Sequence, residues 1–210
     1  MKILNNEKVS AIKNRLYNSK RYFLLGHSYI EISKLAIESI IDSGNPNYII
    51  SDIPIYESDL ILALKHNDTY LLRPALFSFL QALELYMKGL LILKNKFNNE
   101  KKTHDIDLLL KYLERNYNEN EEVLLIIKQI IEKPNLLLST YMRENSISNF
   151  SEMYESFRYP ETKKAKIFNY DDLLNNGSDG ISELKHILSL LEKLHISCLK
   201  YYRENEDVLI

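Results

Sequence analysis

The most apolar segment of the chain carries a glutamate and a lysine, Glu84 and Lys88, one helical turn apart. At about 100° per residue, Phe77, Leu80 and Leu91 fall on the same face of a helix as this pair. An unpaired carboxylate on so apolar a face is costly, because burying a charge without a partner opposes folding. We therefore expect Lys88 to pair with Glu84.

This pair has two interpretations. It could be a buried ion pair that only fixes the register of the helices, or it could also face a ligand. Arg73, which lies on the same side near the start of the helix, is a second candidate partner for the carboxylate. The apolar surroundings favour the role in register.

Other combinations of reactive residues give weaker signals. Glu-x-x-His occurs at Glu183–His186 and at Glu192–His195, but the nine-residue offset puts the two pairs on opposite sides of one helix. A di-iron site needs such pairs on two facing helices, so we predict no metal site and no cofactor. Cys198 follows His195 by one turn, but a thiol in a helix interior is typical of inert packing.

Composition limits the class of protein. The chain has 210 residues, 45% hydrophobic and 27% charged, with a single cysteine and a net charge of −2. These values predict one domain over residues 1–210 in the reducing cytoplasm, with no disulfide. The uninterrupted apolar runs are short, so we expect no membrane segment. Because the net charge is slightly negative, any contact with nucleic acid must be local.

Few turn residues punctuate the chain, which has only five glycines and five prolines, and this scarcity favours long helices. Apolar spacing predicts an all-α helical bundle with a long irregular loop or small hairpin over 145–178. We expect Pro74 in the first turn of the central helix and Thr103 as the cap of the next. The predicted helices span 18–42, 57–65, 74–95, 104–115, 119–132, a turn or two within 135–144, and 179–203.

Three segments, PALFSFLQALELYMKGLL, THDIDLLLKYL and FRYP, together resemble the HEPN superfamily of bacterial helical domains. The resemblance rests on the Glu84-x-x-x-Lys88 pair, on the turn carrying His104 and Asp105, and on 157–160. It implies an up-and-down helical bundle, commonly dimeric, in proteins of phage defence, toxin–antitoxin pairs and RNA processing. An apolar stripe along the last helix would suit such a homodimer.

Many members of that superfamily are metal-independent endoribonucleases with an Arg-x4-6-His motif late in the domain. In such a pair the histidine moves a proton of the ribose 2′-hydroxyl while the arginine holds the phosphate. This chain departs from the pattern, because its only match is Arg21 with His27, in the first long helix. Six residues put these side chains about 120° apart on one helix, so they could act jointly only across a dimer.

Two hypotheses follow. The first is a non-catalytic HEPN-like module that binds RNA, a nucleotide or a partner protein in a groove. The second is a ribonuclease of a defence or toxin–antitoxin system with a non-standard active site, using Arg21 with His27, or His104 with Arg158. The missing late motif favours the first hypothesis. The predicted groove residues are Glu84, Lys88, His104, Asp105, Arg158 and Tyr159.

Overall fold

The computed structural model describes residues 6–45, 65–96, 103–159, 161, 167–170, 173 and 178–207. Helices dominate this part of the chain, which confirms the predicted all-α fold. The predicted helix over 57–65 lies outside the described residues, apart from a turn at Lys65. The helices are α1 (Asn6–Asp42), α2 (Asp68–Leu93), α3 (Ile106–Glu114), α4 (Glu122–Glu132), α5 (Leu136–Glu144), α6 (Phe150–Arg158) and α7 (Ser178–Asp207).

The central helix α2 packs against α1, α3, α6 and α7. It begins at Asp68, so Pro74 lies inside the helix and the prediction that it occupies the first turn is wrong. Asn45 anchors the earlier start, since its Oδ1 accepts from the Asp68 amide at 3.0 Å and its Nδ2 donates to Asp68 Oδ2 at 2.8 Å. Because proline has no amide hydrogen, α2 lacks the hydrogen bond that another residue at position 74 would donate to the Tyr70 carbonyl.

Two glycines let α1 and α2 approach closely. A Cβ on Gly26 would lie 3.2 Å from the Tyr86 ring, and one on Gly89 would lie 3.0 Å from the Phe23 ring. The hydroxyl of Ser19 also donates to the Gly89 carbonyl at 2.9 Å. This close contact fixes the side chains of the two helices relative to each other.

The helix after the THD segment is capped differently from the prediction. Asp105, not Thr103, caps α3, because its carboxylate accepts a hydrogen bond from the Leu108 amide at 2.8 Å. Thr103 instead accepts from the Asp105 amide at 3.0 Å. The carboxylate is the stronger acceptor at a positive helix end, so it takes the cap position.

The stretch over 145–178, predicted to be irregular, contains the nine-residue helix α6. Asn149 caps it, and Phe150, Met153, Tyr154 and Phe157 are buried along one face at helical spacing. The many aromatic and charged residues around this short stripe obscured it in the sequence. Among the described residues of this stretch, Glu161 and Ile167 form an antiparallel bridge, which is the counterpart of the hairpin expectation.

The apolar stripe of the last helix does not form an open seam. Leu184, Leu191, Cys198 and Tyr202 are buried inside the chain, where α7 packs against α1, α2, α4 and α5. The stripe is satisfied within one copy because helices from both halves of the chain cover it. It therefore gives no basis for the predicted homodimer.

One helix in the described residues, over Tyr70–Leu93, has the length and apolar composition of a membrane span. The sequence led us to expect no membrane segment, because its uninterrupted apolar runs are short. In the structure, 78% of its most apolar window is buried among the other helices, as in the core helix of a soluble protein.

Candidate functional site

A cleft of about 1120 Å³ lies between α1 and α2, beside the start of α3. Its walls combine cationic side chains, amides and one carboxylate with a larger apolar surface. The lining residues are Arg15, Asn18, Arg21, Tyr22, Leu24, Leu25, Ser28, Gln81, Glu84, Leu85, Lys88, Ile92, Asn95 and His104.

Three charged or titratable side chains meet at one wall of this cleft, and we call Glu84, Lys88 and His104 the Glu84 cluster. Glu84 is 1% exposed and Lys88 is 6% exposed, and the Lys88 ammonium donates to Glu84 Oε1. His104 Nδ1 donates to the same oxygen at 3.0 Å. Its side chain is 64% exposed, and His104 lines the cleft.

The second oxygen of Glu84 is buried, and Oε2 has no hydrogen-bond partner among the described residues. Close by, the Tyr154 hydroxyl donates to Gln81 Oε1. Burial, and then the Glu84 carboxylate, raises the pKa of Tyr154. Lys88 and His104 form the ion pairs with this buried carboxylate in the described part of the chain.

A contact between the starts of α3 and α6 holds His104 in place. Ser151 at the start of α6 donates its hydroxyl to Asp105 at 2.7 Å and its amide to Asp107 at 2.8 Å. The Asp107 amide in turn donates to the Ser151 hydroxyl at 3.2 Å. Asp105, a predicted groove residue, thus serves as helix cap and anchor beside His104.

Arg158 and Tyr159, also predicted for the groove, are not among the residues that line the cleft. The Arg158 guanidinium lies 5.5 Å from the centre of the Tyr154 ring and 5.6 Å from that of Tyr159. Its charge lowers the pKa of Tyr154 against the larger effect of burial. Of the predicted groove, the structure brings Glu84, Lys88 and His104 together in the cleft.

Arg21 and His27 lie on different sides of α1. Arg21 lines the cleft, whereas His27 lines a separate pocket of about 370 Å³ between α1 and α7. The structure therefore does not join them within one chain. It places Arg21 in the same cleft as His104.

In the second pocket, His27 and His195 form a stacked pair, with ring centroids 4.2 Å apart and an interplanar angle of 14°. His195 Nδ1 shares a hydrogen bond of 2.7 Å with the buried Tyr86 hydroxyl. Burial, and then the neighbouring His27, lowers the pKa of His195. Burial also raises the pKa of the Cys198 thiol, which disfavours its reactive thiolate form.

Arg73, the other predicted partner of Glu84, has a different contact. Its guanidinium lies 4.3 Å from the centre of the Tyr170 ring. In the part of the chain that the structure describes, no three His, Cys, Asp or Glu side chains come together as metal ligands would.

A family model described as "HEPN domain" matches residues 55–194, about two thirds of the chain. The chain belongs to the HEPN family. Searches of curated proteins and of solved structures returned no match. The matched HEPN segment supplies the whole Glu84 cluster, whereas α1, which supplies the arginines of the cleft, lies before it.

Sequence reasoning missed Arg15, Asn18 and Gln81 as cleft residues. Arg15 and Asn18 share one side of α1 with Tyr22, at helical spacing that was visible in the sequence. The predicted helix began at Asn18, which left Arg15 outside it. Gln81 precedes Glu84 by one turn, and this spacing could have identified it.

Proposed function

We propose that this HEPN protein binds single-stranded RNA in the cleft, with Arg15 and Arg21 holding phosphate groups. The observation that carries the proposal is the placement of both arginines beside the Glu84 cluster. Within the described part of the chain, neither arginine forms an ion pair with a carboxylate. Guanidinium groups suit phosphate because their fork of donors matches its oxygens.

The remaining cleft residues suit an unpaired strand better than a duplex. Asn18, Gln81 and Asn95 bring amide groups that can donate to and accept from base edges. Tyr22 brings an aromatic ring of the kind on which unstacked bases pack. Proteins recognise RNA sequence mainly in single strands, where such groups reach the bases.

A binding experiment tests this proposal. Fluorescence polarisation with a labelled single-stranded RNA should show binding that weakens as salt rises, because phosphate contacts release counterions. Arg15→Ala and Arg21→Ala should each weaken binding and reduce the salt slope by about 0.7. Arg143→Ala is the matched control, since Arg143 is exposed and contacts only its neighbour Glu144 among the pairs described. Equal affinity of all three variants and the unchanged protein would refute the proposal.

A second candidate function is metal-independent RNA cleavage in the same cleft. The observation that favours it is the hydrogen bond between His104 Nδ1 and Glu84 at the exposed side of the cleft; in the neutral ring with its proton on Nδ1, Nε2 is an acceptor. That nitrogen can take the proton of a ribose 2′-hydroxyl while the 2′-oxygen attacks phosphorus. The bond to the 5′-oxygen breaks, and that oxygen takes up the proton, which gives a 2′,3′-cyclic phosphate and a 5′-hydroxyl.

Expression in cells separates the two functions. If the protein cleaves RNA, its expression should arrest growth and create new RNA ends, as a defence or toxin–antitoxin effector would. His104→Asn should remove these ends, whereas Arg143→Ala should keep them. Binding in vitro without new ends would leave an RNA-binding module and refute the nuclease.

A further inference from the structure

The second pocket, between α1 and the last turns of α7, has the size and lining of a site for a small organic molecule. Its volume of about 370 Å³ falls within the range of about 300–1,000 Å³ that is typical of such sites. Four rings line it, those of Phe23, His27, His195 and Tyr202. Of the residues that line the two cavities, Leu24 is the one they share. The arginines of the cleft and the Glu84 cluster therefore stay outside this pocket.

The rings of this pocket are held by contacts with one another and with the core. Phe23 and Tyr202 meet edge to face, with ring centroids 5.7 Å apart. His27 and His195 stack, and the hydrogen bond with the buried Tyr86 hydroxyl fixes the His195 ring. Such walls suit a flat aromatic molecule, because ring faces and edges attract each other and the held side chains lose little freedom on binding.

The same pocket carries charge. Lys20 and Arg203 line it and are exposed to solvent, and neither forms an ion pair with a carboxylate in the part of the chain that the structure describes. Glu206 also lines the pocket, and its Oε1 accepts a hydrogen bond from the Tyr202 hydroxyl at 3.5 Å. With both imidazoles neutral, two cations and one carboxylate leave one net positive charge. This charge attracts a ligand with a single negative charge, whereas Glu206 repels one with several.

We propose that this pocket binds a small aromatic carboxylic acid as its monoanion. The aromatic body lies against the rings of α1 and α7, and the carboxylate lies at the rim, where Lys20 and Arg203 donate to its oxygens. Neither histidine reacts with the ligand, since both serve as walls against which it packs. The proposal does not rest on RNA binding, because the residues that hold the acid are not those that hold phosphate.

Calorimetric titration with 2-naphthoate and with its uncharged counterpart 2-naphthamide tests the proposal. The acid should bind saturably, with a dissociation constant of about 0.1 mM or lower. The amide should bind about tenfold more weakly, because it gains no charge-assisted hydrogen bonds. Lys20→Ala and Arg203→Ala should each weaken binding of the acid about tenfold while leaving binding of the amide unchanged. Lys13→Ala is the matched control, since Lys13 is an exposed lysine of α1 that does not line the pocket.

The position of the bound acid needs its own measurement, because the arginines of the cleft can also bind a carboxylate. Nuclear Overhauser contacts between 2-naphthoate and the rings of Phe23 and Tyr202 should place it in the pocket. Contacts with Tyr22 instead would place it in the cleft and overturn the proposal. No saturable binding, equal affinity for acid and amide, or unchanged affinity in both Lys20→Ala and Arg203→Ala would also overturn it. Failure to bind RNA by a protein that still binds the acid would overturn only the proposed function.

Discussion

Two histidine sites flank α1, and they differ in what surrounds the imidazole. In the Glu84 cluster, His104 is exposed at the cleft and donates to a buried carboxylate. In the second pocket, His195 stacks on His27 and bonds to the buried Tyr86 hydroxyl. His104 is largely exposed and has a negative partner, whereas His195 is half-buried between the stacked His27 ring and the buried Tyr86 hydroxyl.

This difference separates a site suited to chemistry from a site suited to packing. A carboxylate on Nδ1 orients a ring and stabilises its protonated form during a proton transfer. A neighbouring histidine and burial do the opposite at His195, whose pKa they lower. Changing one neighbour of each histidine at a time tests this contrast.

The largest effect is expected for Lys88→Met. Glu84 is almost fully buried, so removing the ammonium leaves a buried charge whose remaining direct partner among the pairs described is the exposed His104, which costs about 3–5 kcal/mol of unfolding free energy. Urea denaturation followed by circular dichroism measures this loss. Lys128→Met is the matched control, because Lys128 also pairs with a glutamate four residues away, but at the surface.

A double variant distinguishes charge from packing at this position. Adding Glu84→Gln to Lys88→Met removes the unpaired charge and should restore most of the lost stability. If the double variant is no more stable than Lys88→Met alone, then the lysine stabilises the fold by packing and not by neutralising Glu84.

The sequence predicted the Glu84–Lys88 pair because helix geometry makes residues four apart neighbours. The predicted bundle also follows from a local signal, the apolar spacing, whereas the resemblance to the HEPN superfamily placed His104 in the groove. The separation of Arg21 from His27 could be predicted, because side chains six residues apart point about 120° apart on one helix. Three of the fourteen residues that line the cleft, Glu84, Lys88 and His104, were therefore predicted as groove residues.

The rest depended on contacts between distant segments. Hydrogen bonds between Asn45 and Asp68 fix the start of α2 before the predicted position. A hydrogen bond between Ser151 and Asp105 joins α3 to α6. The periodicity of the sequence predicts neither contact, because the two residues that form each contact are far apart in the sequence. Arg158 was placed in the groove by its motif, but it is not among the residues that line the cleft.

The next prediction concerns Tyr86→Phe in the second site. This change leaves the ring in place but removes the hydroxyl that bonds to His195 Nδ1. Leaving a partly buried ring nitrogen without its partner should cost about 1–2 kcal/mol. Denaturation measures this loss of unfolding free energy for Tyr86→Phe. Tyr70→Phe is the control, since Tyr70 is 55% exposed. Equal stability of the two variants would contradict a structural role for the Tyr86 hydroxyl.

A smaller effect is expected from pH. The folded protein lowers the pKa of His195, so the unfolded chain binds its proton more readily. His195 therefore opposes folding as the pH falls through about 6.5, the usual pKa of histidine, and has no such effect well above it. Denaturation from about pH 8 to about pH 5.5 should show a decline that His195→Gln reduces. His186→Gln, an exposed control on α7, should keep the full decline.

The smallest effect on stability is expected for His104→Gln. Its side chain is largely exposed and Lys88 still neutralises Glu84, so the unfolding free energy should change by about 0.5 kcal/mol or less. If the cleft cleaves RNA, the same change should abolish new RNA ends while RNA affinity remains, because the arginines are intact. A large loss of stability would instead make His104 a structural partner of Glu84, and the contrast between the two histidine sites would disappear.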